Sequence, residues 1–521
     1  MHVFVKKTMA VAVTAAMFTT SLVPAMAATP AVQGPESVQD WYNAGQQFIR
    51  NAERMRPNLR HAKNIILFVG DGMGVSTVTA ARILAGQQNG RPGEENRLSF
   101  EYFPYTAYSK TYSWDQQTSD SAPTMTAIMT GYKAREGMLA VDHLTSRNEC
   151  DPAVIAAHAL PTLLEQAAAE GKMTGVVTTA RLTHATPAAT YAHTAVRDWE
   201  ADSNKPAGCG VKDIAQQLIE ASPEVKASLH VAMGGGRTYF MPKTQLDPEY
   251  NKKGLRNDGR DLTAEWLSSR GADAKYVWDR AGFDAATPSN TSYLLGLFEN
   301  SHMQYEADRA RDKAGEPSLT EMTEKAISML QNGDKGYFLH VEGGRIDHAH
   351  HAGNAKRALI DAIELSKAVQ KAYDMTDPRD TLIIVTADHS HTFTIAGYPH
   401  RGNDIVGLVS GVPAIDGSPA MLDMDKLGLP YTTLGYANGP GWRDAIVNGA
   451  KRPDLTSVDT TSLNFLQEST VPLDSETHAG EDVGVYATGP MAHLVHGSME
   501  QNWIYHVMRA SFGFDDERQP R

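Results

Sequence analysis

Five apolar runs of strand length limit what this chain can fold into: Asn64-Ile-Ile-Leu-Phe-Val69, Gly175-Val-Val-Thr-Thr179, Tyr337-Phe-Leu-His-Val341, Thr381-Leu-Ile-Ile-Val-Thr386 and Val483-Gly-Val-Tyr486. Helical patterns lie between them. Leu359, Ala362, Ile363, Val369 and Ala372 make one apolar helix face, and Leu163, Ala167 and Ala168 begin another. Strands alternating with helices predict an α/β fold with a doubly wound, largely parallel sheet covered on both sides. Such sheets bind ligands beyond the carboxyl ends of their strands.

The 521 residues are enough for a large core of this kind with an added lobe, and 41% hydrophobic with 21% charged residues is ordinary globular composition. A net charge of -13 leaves no basic excess to displace counterions, which argues against a nucleic-acid partner. Residues 1–27 carry Lys6 and Lys7, an apolar centre from Met9 to Met17 and an Ala25-Met-Ala27 cleavage site, so they read as a secretory signal, and an exported periplasmic or extracellular protein is expected. No other stretch has some twenty uninterrupted apolar residues, so no membrane span is expected. An exported chain with only Cys150 and Cys209 most often pairs them, and two free buried thiols are the alternative.

Residues 28–62 read as an arm built on an amphipathic helix from Val38 to Met55, with Trp41, Ala44, Phe48 and Ala52 on one side. The core is expected over 63–396 and again over 477–521. Between them, 397–476 is dominated by Gly, Pro and polar turns and reads as an inserted lobe, and Asp247–Gly259 suggests a smaller excursion.

Chemistry gathers where the apolar runs end. Gly70-Asp71-Gly72 follows the first run and Asp388-His389 the fourth. The third leads into Glu342-Gly-Gly-Arg-Ile-Asp347-His348-Ala-His350-His351, and His478 precedes the fifth. Asp347 and His351 are four apart, so a helix starting at the Gly pair puts both on one face, as two ligands of one ion must be. Asp71, Asp388 and His389 offer a second set. Nitrogen and oxygen ligands without thiolate suit zinc, and an oxygen-richer set from Asp71, Glu342 and the Arg181–Thr186 segment suits magnesium. Ser121, in Asp120-Ser121-Ala-Pro123, sits where a helix N-terminus favours an alkoxide or phosphate, although capping alone would explain it. Arg197 is a candidate fork for two phosphate oxygens, oriented by Asp198 or Asp120.

The combination Gly70-Asp-Gly-Met, Asp120-Ser-Ala, Val341-Glu-Gly-Gly-Arg-Ile-Asp-His, Thr386-Ala-Asp-His-Ser-His391 and Glu476-Thr-His-Ala-Gly-Glu-Asp closely resembles the alkaline phosphatases over nearly the whole mature chain. Val75–Arg82, His184-Ala-Thr-Pro, Gly234-Gly-Gly-Arg237 and Gly489–Leu494 resemble the vertebrate branch. The resemblance implies one zinc on Asp347, His351 and His478, a second on Asp71, Ser121, Asp388 and His389, and magnesium on Asp71, His184, Thr186 and Glu342. It leaves His348, His350 and His391 as supporting residues. It places the family's disulfide on Cys150 and Cys209, makes 397–476 a crown-like lobe, and implies a homodimer in which Tyr398 reaches the neighbouring site. A calcium ion held by Glu249, the Phe298 carbonyl, Glu299 and Glu316 is implied too, with Glu316 standing where relatives have Asp. Pro123 and Met125 depart from the small residues usual beside the nucleophile, and the hydrophobic tail that precedes a lipid anchor is missing.

The implied activity is hydrolysis of phosphate monoesters through a phosphoserine on Ser121, with broad substrate range and an alkaline optimum. A magnesium-bound water would take and return the serine proton. A phosphodiesterase or sulfatase is the rival within enzymes, and a sulfatase would need an Arg that Ser121-Ala-Pro-Thr-Met lacks. A non-catalytic zinc- or phosphate-binding protein is the rival outside them, but a storage site would close its coordination rather than add Ser121 and Arg197.

Overall fold

The computed structural model describes residues 37–442 and 452–514. The expected signal segment with its cleavage site, and the charged tail after Phe514, lie outside these residues. Two units divide at Arg50. The first contributes most of a helix, Val38–Arg54, in which no residue is buried.

The second carries a ten-stranded sheet. In chain order its strands are β1 (Asn64–Gly70), β2 (Tyr105–Lys110), β3 (Met173–Arg181), β4 (Leu229–Gly235), β5 (Ala274–Val277), β6 (Tyr293–Leu297), β7 (Tyr337–Gly343) and β8 (Thr381–Ala387). Short strands β9 (Ser390–His391), β10 (Phe393–Ile395), β11 (Leu434–Gly439), β12 (Ser469–Pro472) and β13 (His478–Ala479) precede β14 (Val483–Thr488) and β15 (Gly497–Glu500). The main order is β15-β2-β14-β8-β1-β7-β3-β4-β6-β5. All these pairings are parallel except those of β14, which runs against both β8 and β2.

The central strands are apolar throughout because each feeds two cores. Ile66, Phe68, Leu339, Val341, Ile383 and Val385 point into one, and Ile65, Leu67, Val69, Phe338, Leu382 and Ile384 into the other. This is the period of two in a strand buried on both faces. Helices Val75–Gln88, Leu319–Leu330 and Ala355–Met375 cover the first face; Ser121–Thr130, Leu163–Ala169 and Trp503–Phe512 cover the second. All five apolar runs read from the sequence are strands, and both helix faces named above are buried.

Register carries the strand ends to one place. Gly70 of β1 lies beside Gly343 of β7 and Ala387 of β8, so Asp71, the Glu342–Asp347 turn and Asp388 emerge side by side. Antiparallel pairing of β13 with β9 then sets His478 opposite His391. From residues 397–476, β11 pairs parallel with β12 and antiparallel with β10, which lies just before that stretch. Cys150 and Cys209 form a disulfide beside a small third core that includes Val141, Ile155, Trp199 and Val211.

Candidate active site and metal centre

Helix Arg345–His351 starts directly after β7 and brings Asp347 and His351 onto one face, with His351 Nε2 3.3 Å from Asp347 Oδ1. His478 Nε2 lies 3.2 Å from the same oxygen and 3.1 Å from His351 Nε2. The other nitrogen of each ring fixes its tautomer. His351 Nδ1 donates to the Glu476 carbonyl at 2.5 Å and His478 Nδ1 to the Ser119 carbonyl at 2.7 Å, so both Nε2 atoms carry lone pairs. Two lone pairs and a carboxylate oxygen thus converge with no proton between them, a donor set that suits a cation. Asp347 is fully buried, yet the nearby His351 and a hydrogen bond from His391 outweigh burial and hold its carboxyl well below the usual range.

A second set lies alongside. His389 Nε2 is 3.3 Å from Asp71 Oδ1, 3.3 Å from Asp388 Oδ2 and 3.2 Å from Ser121 Oγ, while its Nδ1 faces the Ser390 carbonyl. Burial first, and then the neighbouring His478, keeps His389 far below the usual imidazole range and therefore neutral. Ser121 opens helix Ser121–Thr130, capped by Asp120 through the Ala122 amide at 3.2 Å, and its hydroxyl also lies 3.3 Å from Asp71 Oδ1. Gly72 takes φ +67°, donates its amide to Asp388 Oδ1 at 3.1 Å, and leaves no room for a Cβ beside His391.

The third set is richer in oxygen. Thr186 Oγ1 donates to Asp71 Oδ2 at 3.3 Å, Thr178 Oγ1 donates to Glu342 Oε2, and Glu342 Oε1 is buried without a partner. A ring nitrogen of His184 lies within 4.8 Å of carboxylate oxygens of Asp71 and Glu342. Burial, with Asp388 and Asp347 nearby, pushes Asp71 well above the carboxylate range, and burial pushes Glu342 up to about 8. Two fully buried carboxylates and an orphaned oxygen fit a hard divalent cation.

Arg197 completes the rim, 3.3 Å from Asp120 Oδ2 and 3.0 Å from His184 Nε2. Every catalytic, zinc and magnesium residue expected from the sequence is therefore in one cluster. Sequence reasoning did not assign Glu476, whose Oε2 lies 2.6 Å from His391 Nδ1, although it opens the Glu476–Asp482 motif that carries His478. His391 also reaches Asp347 Oδ1 at 2.9 Å through Nε2. Against the effect of burial, its two carboxylate partners raise it to about 9, so it supports Asp347 as an imidazolium rather than offering a lone pair. His350 bridges Thr77 Oγ1 at 3.0 Å and the Tyr436 hydroxyl at 2.8 Å. His302, also unforeseen, places its ring centroid 4.0 Å from that of His348.

The residues expected to take calcium lie elsewhere. Glu249 accepts from Arg237 Nη2 at 3.1 Å, Glu299 from the Tyr250 hydroxyl at 2.6 Å, and Glu316 from the Gln304 amide at 2.9 Å. The expected partner-reaching residue, Tyr398, is 89% exposed.

Residues 62–513 match the family model described as alkaline phosphatase. The chain belongs to the alkaline phosphatase family. It is 47% identical over 487 residues to the tissue-nonspecific isozyme of Gallus gallus, covering 91% of this chain and 90% of that one. To the Homo sapiens isozyme it is 45% identical over 487 residues, covering 91% and 89%. Among solved structures, the Thermus thermophilus alkaline phosphatase has TM-score 0.60 at 22% identity over 89% of this chain and 93% of that one. The enzyme of the Antarctic bacterium TAB5 gives 0.56 at 21%, covering 87% and 99%. These two likenesses bear on the fold. The family, together with the relatives, makes this alkaline phosphatase a hydrolase of phosphate monoesters, in a family that depends on metals.

Proposed function

We propose that this alkaline phosphatase works through a phosphoserine on Ser121, with two zinc ions and one magnesium ion per chain. The observation that carries the reading is the convergence of His351 Nε2, His478 Nε2 and Asp347 Oδ1 with no proton among them, beside a serine hydroxyl 3.2 Å from a third lone-pair nitrogen, His389 Nε2. Asp347, His351 and His478 would hold one zinc; Asp71, Asp388, His389 and Ser121 the other. Magnesium would be held around Asp71, Thr186, Glu342 and His184, and a variant of the TAB5 enzyme has magnesium bound in what is called its M3 site. When bound, these ions supply Lewis acidity toward the phosphoryl oxygens and the departing alkoxide.

The chain's own groups do the rest. Before attack, the Ser121 hydroxyl can donate to Asp71 Oδ1. Arg197, steadied by Asp120, grips two non-bridging oxygens and turns phosphorus toward Ser121 Oγ. The new Oγ–P bond forms as the ester bond breaks, and the alcohol leaves with the proton that Ser121 gives up. Water then attacks phosphorus, the Oγ–P bond breaks, inorganic phosphate leaves and the serine oxygen regains a proton from that water. The N-terminus of helix Ser121–Thr130 favours negative charge on Oγ throughout.

The same reading includes an exported homodimer, joined through helix Val38–Arg54 and Tyr398, with 397–476 as its crown, and a calcium ion at Glu249, Phe298, Glu299 and Glu316. Rates on a chromogenic phosphate monoester, a diester and a sulfate ester, with and without chelator, test the catalytic part. A chelator-sensitive preference for the monoester is expected; retention of full activity after complete metal removal would overturn it.

A further inference from the structure

The calcium-type residues are joined in the structure by a carboxylate that the sequence did not bring forward. Asp312 lies just past the short turn Arg309–Arg311. The Tyr250 hydroxyl is 2.6 Å from Glu299 Oε1 and 3.4 Å from Asp312 Oδ1, so it spans the two. Several oxygens already have fixed donors. The Ala314 amide serves Glu249 Oε1 at 3.3 Å and Arg237 serves Oε2; the Asn300 amide serves Glu299 Oε2 at 3.1 Å; the Gln304 amide serves Glu316 Oε1 at 2.9 Å. Two oxygens are left over. Glu316 Oε2 and Asp312 Oδ2 are both buried without a hydrogen-bond partner, and Glu316 as a residue is only 2% exposed.

We propose that Asp312 is a direct ligand of the calcium ion, so that this chain holds it with four carboxylates, Glu249, Glu299, Asp312 and Glu316. The inference rests on the reading that calcium binds here. Charge supports it, since four acids are met directly by one guanidinium, that of Arg237, which is itself shared with Asp247. Arg309 is committed to Glu306. Calcium takes six to eight oxygens, with affinity that follows the number of charged ligands. A second acid on a short side chain also compensates for the longer reach of Glu316.

The test is calcium titration of the zinc- and magnesium-loaded enzyme against a chromophoric chelator, read alongside the rise in Tm that calcium produces. The parent is expected to bind one calcium per chain. Asp312→Asn should weaken binding at least tenfold and shrink the Tm rise, with Asp312→Ser as the second variant should the amide disturb Tyr250. Asp308→Asn, on the same segment but paired with Arg357 and Arg311, should leave calcium binding unchanged. A parent that binds no calcium overturns the calcium reading and the inference with it. A parent that binds while both Asp312 variants bind as tightly overturns Asp312 alone.

Discussion

His351 and His478 become lone-pair donors only because carbonyls, of Glu476 and Ser119, hold their other nitrogens. Glu476 does more, since its carboxylate grips His391, which in turn grips Asp347. Glu476→Gln should therefore loosen the zinc proposed on Asp347, His351 and His478 by about 10–100-fold, as removal of such supporting groups does, measured as faster zinc loss to a chelator. The pair Asp347 and His351 was legible in the sequence because four residues on a helix bring side chains together. Glu476 to His391 was not, because the contact spans 85 residues and depends on the β9–β13 pairing. Asp361 supplies a pH test away from these groups. Burial raises its carboxyl to about 8 against an ordinary 3.8, with Arg345 opposing the rise. Between those values the folded chain keeps a proton that the unfolded chain releases, so stability falls as pH rises and the loss is complete above about 8. Asp361→Asn removes that slope. Its Tm should exceed the parent's at pH 8 by clearly more than at pH 5, and equal differences at both would contradict the assignment.

At the scale of elements, the sequence showed the strands with unbroken apolar runs, and missed two that are buried almost throughout, β4, interrupted by His230 and Gly234–Gly235, and β6, only five residues long. β1, β7 and β8 are apolar at almost every position, so no period had to be found. β2, β4, β5, β6 and β15 went unnoticed. β2 has exposed and buried positions mixed among polar residues, β5 is four residues long, and β15 is a short edge strand. A strand that buries little apolar surface writes a weak pattern. The Cys150–Cys209 bridge ties the segments beside the third core across a sequence separation of 59. Chain-entropy arithmetic for a loop of that size gives about 4 kcal/mol as an upper expectation. Replacing both cysteines by serine should lower unfolding stability toward that limit, read by denaturant titration, while the proposed zinc ligands, which lie on other segments, stay in place.

For the whole molecule, helix Val38–Arg54 leaves Trp41, Tyr42, Phe48 and Ile49 between 51% and 68% exposed in the single chain. Four large apolar side chains on one short helix are an unpaid hydrophobic cost unless something covers them. Deleting residues 28–55 should convert the proposed dimer to a monomer by sedimentation; a parent that is already monomeric, or an unchanged mass, would remove the helix from such an interface. The central claim is that Ser121 carries phosphate during turnover. Acid-quenching the enzyme during turnover of a phosphorus-labelled monoester and mapping the labelled peptide tests it most directly. Label on the peptide containing Ser121, absent from Ser121→Ala, is the expected result, and label on another residue, or equal label in the Ala variant, would contradict it.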